Sequence, residues 1–138
     1  MTRSRKSAKN AGTAMETLVT RYLADQLNDD RIERRRLAGS KDRGDIAGIR
    51  TPLGERVVIE VKDYGGRIQA GPWLNEARVE AGNDDAPVAV VVAKRRGTTN
   101  PADQIVLMSL ADLAVLLGAQ TNPHTPDPIR TIKEMRLT

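Results

Sequence analysis

The chain has 138 residues, with 22 Lys and Arg against 18 Asp and Glu, and it contains no cysteine. This length fits one ordinary domain, and the absence of cysteine excludes disulfides and thiolate metal sites. Aromatic residues make up only 2% of the chain, which excludes single-strand binding through rows of stacked rings. No apolar run is long enough to span a bilayer and none follows the basic N-terminus, so we expect no membrane association, no secretory signal and a cytoplasmic protein.

The first predicted element is a helix near the N-terminus. Residues 1–12 are polar and basic, which is typical of a flexible arm. Thr13 and Glu16 have the spacing of a capping box, in which two side chains satisfy backbone amides at the start of a helix. Apolar residues then recur at helical spacing, so we predict a helix from Ala14 to Leu27.

Strand signals follow in the next part of the chain. Residues 31–37 form a weak candidate strand, and residues 45–50 form a short one that leads into a turn signal at Thr51-Pro52-Leu53-Gly54. Residues 56–62 are predicted to form a strand because Val57, Ile59 and Val61 alternate with Val58, Glu60 and Lys62. The two sets should therefore lie on opposite faces of a sheet.

The second half predicts a helix over residues 72–82, a fully buried strand over 87–93, a strand over 104–108 and a last helix over 110–117. Pro72 suits a first helical turn, and Ser109 with Asp112 forms a capping box for the last helix. A hairpin followed by a strand–helix–strand crossover gives an α/β fold with a mixed central sheet flanked by helices.

Asp45 and the tripeptide Glu60-Val61-Lys62 suggest a chemistry. A hairpin can bring Asp45 level with Glu60, and two adjacent carboxylates repel unless a cation neutralises them. Mg²⁺ prefers such oxygen ligands, and the Val61 carbonyl is available beside them. A metal-bound water is a nucleophile, and Lys62 can stabilise the charge that grows on phosphorus. The alternative is an ordinary ion pair between Glu60 and Lys62 on an exposed sheet face.

These residues resemble the PD-(D/E)xK nuclease superfamily, and within it the archaeal-type Holliday junction resolvases and their phage relatives. The matching stretches are Gly12-Thr13-Ala14-Met15-Glu16, then Gly44-Asp45, then Glu60-Val61-Lys62. Gly44 stands where the proline that names the superfamily is expected. The resemblance implies a restriction-endonuclease-like nuclease domain, which we assign to residues 13–118, and the prolines after it indicate a Pro-containing C-terminal tail over residues 119–138. It also implies Glu16 as a further acid of the metal site, and Mg²⁺ as the cofactor, with Mn²⁺ able to substitute.

The basic residues indicate DNA as the binding partner of such a site. Clustered Lys and Arg side chains suit a phosphate backbone, although a solvated charged face is the alternative. The candidate DNA-binding residues are Arg34, Arg35, Arg36, Lys41, Arg43 and Arg67.

We therefore expect an Mg²⁺-dependent DNA endonuclease that resolves four-way junctions. A junction must be cut in two strands, so we also expect a homodimer, with the apolar helix over 110–117 as a candidate interface. A duplex- or end-acting nuclease of the same superfamily and a non-catalytic basic DNA-binding module remain the alternatives.

Overall fold

The computed structural model describes residues 4–35 and 43–120, which form a five-stranded mixed sheet flanked by three helices. The strand order is β1-β2-β3-β4-β5, with β3 and β4 parallel and every other neighbouring pair antiparallel. This confirms the predicted mixed α/β architecture. The elements are α1 (Arg5–Leu27), β1 (Glu33–Arg34), β2 (Ile46–Ala47), β3 (Val57–Lys62), α2 (Ala70–Asn83), β4 (Val88–Ala93), β5 (Ile105–Leu107) and α3 (Leu110–Leu116).

Helix α1 begins well before the predicted start. Ser4 is its N-cap, and the Ser4 side chain accepts a hydrogen bond of 3.1 Å from the backbone amide of Ser7. The predicted start at Ala14 is therefore wrong, and helix replaces most of the predicted basic arm. The reason is that residues 5–11 are mainly Arg, Lys and Ala, which have high helix propensity, so a cap at Ser4 suffices.

The core has two layers, one on each face of the sheet. Val57, Ile59 and Val61 pack on the α1 side with Met15 and Val19. Val58 packs on the α2 side with Trp73, Ala77 and Ala81. The predicted alternation along β3 is thereby confirmed, and so is the predicted burial of β4, where every residue is buried.

The turn between β2 and β3 closes where the sequence predicts it. The Thr51 amide donates to the Glu55 carbonyl at 2.8 Å, and the Gly54 amide donates to the Thr51 carbonyl at 2.9 Å. Strand β2 is shorter than predicted because Gly48 has a φ of +87°, and a Cβ there would lie 2.7 Å from the Arg31 carbonyl oxygen. The chain therefore leaves regular strand geometry at Gly48.

Helix α3 is capped as predicted, because the Ser109 hydroxyl accepts from the Asp112 amide at 3.1 Å. Asp112 is buried and accepts hydrogen bonds from the Ala89 amide on β4, at 2.9 Å, and from Arg78 on α2. One carboxylate thus joins α3 to both neighbouring elements. In the part of the chain that the structure describes, no helix combines the length and apolar character needed to cross a membrane.

Candidate metal centre

Glu60 and Lys62 lie on the α2 face of β3, at the end of the strand where it leaves the core. Val58 has the same orientation and packs against Trp73 of α2, so the pleat directs Glu60 and Lys62 to that side as well. Only 7% of the Glu60 surface is exposed. A carboxylate at such a position is costly unless a cation or hydrogen-bond donors compensate its charge.

Lys62 is held between two carboxylates. Its Nζ lies 3.0 Å from both Oε1 and Oε2 of Glu76, and 3.4 Å from Oε1 of Glu60. Burial acts to lower the pKa of Lys62, but the hydrogen bond to Glu76 and the charge of Glu60 outweigh it, so the pKa lies above its ordinary value. The ammonium is therefore positively charged at neutral pH.

The second Glu60 oxygen has no such contact. Oε2 of Glu60 is buried and has no hydrogen-bond partner among the described residues. Glu60, Glu76 and Glu80 each bring one carboxylate oxygen within 4.8 Å of the others. Glu80 is buried and Glu76 is exposed, so the group reaches from the interior to solvent. These three carboxylates could hold a metal ion, and an all-oxygen ligand set suits a hard divalent cation.

Asp45 lies against the backbone of β3. Its Oδ2 accepts a hydrogen bond of 2.7 Å from the Val61 amide, the peptide unit that directly follows Glu60. Gly44 before it has a φ of +92°, and a Cβ there would lie 2.8 Å from Cγ1 of Val58. Proline is confined to negative φ, so the proline that names the superfamily cannot occupy this position. The predicted approach of Asp45 to the Glu60 segment is thus present, although Asp45 is not a member of the carboxylate trio.

The structure does not bring Glu16 into this group. Glu16 lies on α1, and its Oε2 accepts from Nη2 of Arg34 at 2.9 Å and from Nε of Arg34 at 3.1 Å. Helix α1 covers the sheet face opposite to the one on which Glu60 lies. Glu16 as a metal ligand stays a prediction, as does the Val61 carbonyl, since the contact described for Val61 here is its amide with Asp45.

Two of the predicted DNA-binding arginines, Arg34 and Arg35, lie on different faces of the structure. Arg34 and Arg35 are neighbours on an extended segment and point apart: Arg34 pairs with Glu16 of α1, and Arg35 pairs with Asp84 at the end of α2. Arg43 and Arg67 are exposed, whereas Arg36, Lys41 and residues 121–138 lie outside the described residues. A DNA ligand that contacts one face of the sheet could therefore reach Arg34 or Arg35 but not both.

Sequence reasoning missed two members of the candidate centre, Glu76 and Glu80. Their spacing of four residues places both on one side of a helix, and a helix that follows β3 through a crossover must pack back on the sheet. That signal was available in the sequence, but the register of α2 against β3, which selects Glu76 and Glu80, was not.

No protein-family model, curated protein or solved structure matches this chain.

Proposed function

We propose that this chain is a divalent-metal-dependent DNA endonuclease with a restriction-endonuclease-like fold, and that it cleaves phosphodiester bonds at the centre built around Glu60. The observation that carries the proposal is the buried Glu60 carboxylate, whose Oε2 has no hydrogen-bond partner among the described residues and which lies beside Glu76, Glu80 and the Lys62 ammonium. A buried carboxylate oxygen without a hydrogen-bond donor is costly, and a bound cation would compensate its charge.

Mg²⁺ is the proposed cofactor, with Mn²⁺ as a substitute, and either would activate a water molecule for attack on phosphorus. Glu60, Glu76 and Glu80 would hold it, with Asp45 as a further proposed ligand. The Lys62 ammonium lies 3.4 Å from Oε1 of Glu60, so it can stabilise negative charge that develops on a phosphate bound there. The Lys62 Nζ donates hydrogen bonds to Glu76. A cation bound by Glu76 would compete for these carboxylate oxygens, and the Lys62 ammonium could then donate to the substrate instead.

Asp45 and Glu16 have different parts in this proposal. Asp45 remains a proposed ligand, because its carboxylate is already fixed to the peptide unit between Glu60 and Val61. Glu16 would have to leave Arg34 and reach the other side of the sheet. We therefore expect substitution of Asp45 to reduce metal affinity more than substitution of Glu16.

The proposed substrate is branched DNA, and the proposed working unit is a homodimer. One chain supplies one site, whereas two strands of a four-way junction must be cut, and closed two-fold pairing is the commonest way to provide two sites. Three leucines of the last helix and its end support a contact with a second copy, since Leu110, Leu113 and Leu117 are 81%, 40% and 79% exposed.

The proposal is tested by incubating the purified chain with Mg²⁺ and labelled four-way junction, duplex and single-stranded DNA of the same sequences. Cleavage of the junction, suppressed by a chelator, is the expected result. Cleavage of duplex or ends without preference for the junction would favour the duplex- or end-acting nuclease. Tight DNA binding with no cleavage in Mg²⁺ or Mn²⁺ would establish the non-catalytic DNA-binding module instead.

A further inference from the structure

A cavity of about 280 Å³ lies near the start of β3, at the opposite end of that strand from Lys62. Among the described residues, its charged lining consists of four arginines and one acid: Arg35, Arg43, Arg50, Arg56 and Asp84. These described lining residues carry an excess of three positive charges. Such an excess in a concave site attracts anions.

The single acid of the cavity is shared between two of the arginines. Asp84 is buried, and its Oδ1 and Oδ2 accept from Nη1 and Nη2 of Arg35 at 3.3 Å each. Nη1 of Arg56 donates to the Asp84 carbonyl at 3.1 Å and lies 3.8 Å from its Oδ1. Asp84 thus fixes the positions of both guanidinium groups, but one carboxylate neutralises only one of them.

Within residues 4–35 and 43–120, Arg50 is held in place by a hydrogen bond and forms no ion pair. Nη1 of Arg50 donates to the Gly54 carbonyl at 2.9 Å, which ties this side chain to the turn before β3. Nε of Arg35 is buried and has no hydrogen-bond partner among the described residues. A buried guanidinium nitrogen without an acceptor is costly, and an anion bound in the cavity would supply an acceptor.

We infer that this cavity is a subsite for a backbone phosphate of DNA. Guanidinium groups match the oxygens of a phosphate through planar, paired hydrogen bonds, and four of them around one cavity suit a dianionic or monoanionic oxyanion better than a neutral ligand. The inference rests on the proposed function, because it takes the phosphate to belong to a nucleic acid that also reaches Glu60.

The cavity and the candidate metal centre lie toward opposite ends of β3. Arg56, which directly precedes β3, and Glu60 are four residues apart, which corresponds to about 13 Å of extended chain. A DNA strand rises about 3.4 Å per nucleotide along its axis. A strand with its axis parallel to β3 would therefore place in this subsite a phosphate a few nucleotides from the bond that is cleaved.

The first test measures DNA binding without metal as a function of salt. The variant Arg50→Ala/Arg56→Ala keeps Arg35 on Asp84, so the buried carboxylate retains a partner. The matched control Arg21→Ala/Arg31→Ala removes the same charge from two exposed positions outside the cavity. Loss of one shared phosphate lowers the slope of log affinity against log salt by about 0.9. We expect that decrease in the variant and an unchanged slope in the control, and equal slopes in both would overturn the inference.

The second test locates the phosphate by replacing single backbone linkages with uncharged methylphosphonates. One linkage should weaken binding of the wild-type chain and leave binding of Arg50→Ala/Arg56→Ala unchanged, because that variant has already lost the contact. If no single linkage shows this coupling, the arginines attract DNA only diffusely and the inference is wrong. If the double variant has a lowered melting temperature, Arg50→Ala alone is used, since Arg50 is exposed and its described hydrogen bond is to a turn carbonyl.

Binding of small phosphate compounds distinguishes a DNA phosphate from a free phosphate as the ligand. The absence of metal distinguishes the phosphate subsite from the proposed nuclease activity. Inorganic phosphate or a mononucleotide that binds the metal-free chain as tightly as an oligonucleotide does would assign the cavity to a free phosphate and overturn the inference. Because every measurement is made without metal, the coupling can be present in a chain that cleaves nothing. Failure of the proposed nuclease activity is therefore distinguishable from failure of the phosphate subsite.

Discussion

Replacing Glu80 by Gln should reduce the stabilisation that a divalent cation gives to the folded chain. Glu60 and Glu80 are both buried, and they bring carboxylate oxygens within 4.8 Å of each other. Two ionised carboxylates within that separation repel by about 3.5 kcal/mol or more at an effective dielectric constant near 20. Lys62 lies 3.4 Å from Glu60 and offsets part of this repulsion. A divalent cation held between the carboxylates would offset the rest, and Glu80→Gln would replace one of its charged ligands by a neutral amide.

The size of the expected effect follows from metal binding. A metal ion that binds only the folded chain stabilises it by about 2.7 kcal/mol when its concentration is about 100 times the dissociation constant. For a domain of this size each kcal/mol corresponds to roughly 4 °C of melting temperature. The wild type should gain about 10 °C in Mg²⁺ or Mn²⁺, and Glu80→Gln should gain little because the variant lacks one of the three carboxylates.

The assay is thermal unfolding of both chains in chelator and in a titration of each cation. Glu33→Gln is the matched control, because it removes the same charge from an exposed position on β1 and should retain the full metal-dependent shift. A Glu80→Gln variant whose melting temperature rises with metal as much as that of the wild type would show that the trio does not hold the cation.

Further predictions concern Lys62 and the oligomeric state. Lys62→Ala should lower the single-turnover rate of cleavage by about a hundredfold with little change in DNA affinity. Lys62→Arg should restore little of this rate, because a guanidinium is planar and larger than an ammonium. An unchanged cleavage rate in Lys62→Ala would contradict the role assigned to Lys62. Folding raises the pKa of Lys62. The charged ammonium therefore stabilises the folded, metal-free chain fully at pH values below the ordinary lysine pKa of about 10.4. This contribution to the free energy of unfolding is lost as the pH rises through the pKa of Lys62 in the folded chain. Urea midpoints above pH 10 should accordingly fall more steeply for the wild type than for Lys62→Met. Light scattering at micromolar concentration should give the mass of a dimer, and a chain that stays monomeric with junction DNA bound would refute the two-site proposal.

Much of the fold could be predicted because its strongest local signals agree with its tertiary packing. Strand β3 alternates strictly, so the faces of Val57 and Val58 follow from the pleat alone. Strand β4 is apolar at every position, and Ser109 caps α3 in the predicted geometry. Each of these features is determined by residues that are close in sequence.

The errors concern features that depend on competition or on distant contacts. Two possible caps, Ser4 and Thr13, precede the apolar part of α1, and the choice of Ser4 depends on the helix propensity of the basic residues between them. The end of β2 depends on the approach of Gly48 to the Arg31 carbonyl, which no local pattern reveals.

The candidate site shows the same division between local and distant information. Glu60 and Lys62 were predicted to share a face, which the pleat of β3 determines. The carboxylates that join them come from α2, and the selection of Glu76 and Glu80 depends on how that helix is rotated and shifted against the sheet. The opposite orientations of Arg34 and Arg35 likewise depend on distant contacts. Arg34 pairs with Glu16 on α1, and Arg35 pairs with Asp84 at the end of α2.

The proposed role of Glu60 is tested by single-turnover cleavage of a labelled four-way junction in Mg²⁺ by the wild type and by Glu60→Ala, with the DNA affinity of both chains measured in chelator. We expect junction cleavage by the wild type, no detectable cleavage by Glu60→Ala, and similar DNA affinity for the two, because Glu60 is proposed to hold the metal and not the DNA. A Glu60→Ala chain that cleaves at a near-normal rate with Mg²⁺ as the sole divalent cation would refute a metal-dependent nuclease site at Glu60.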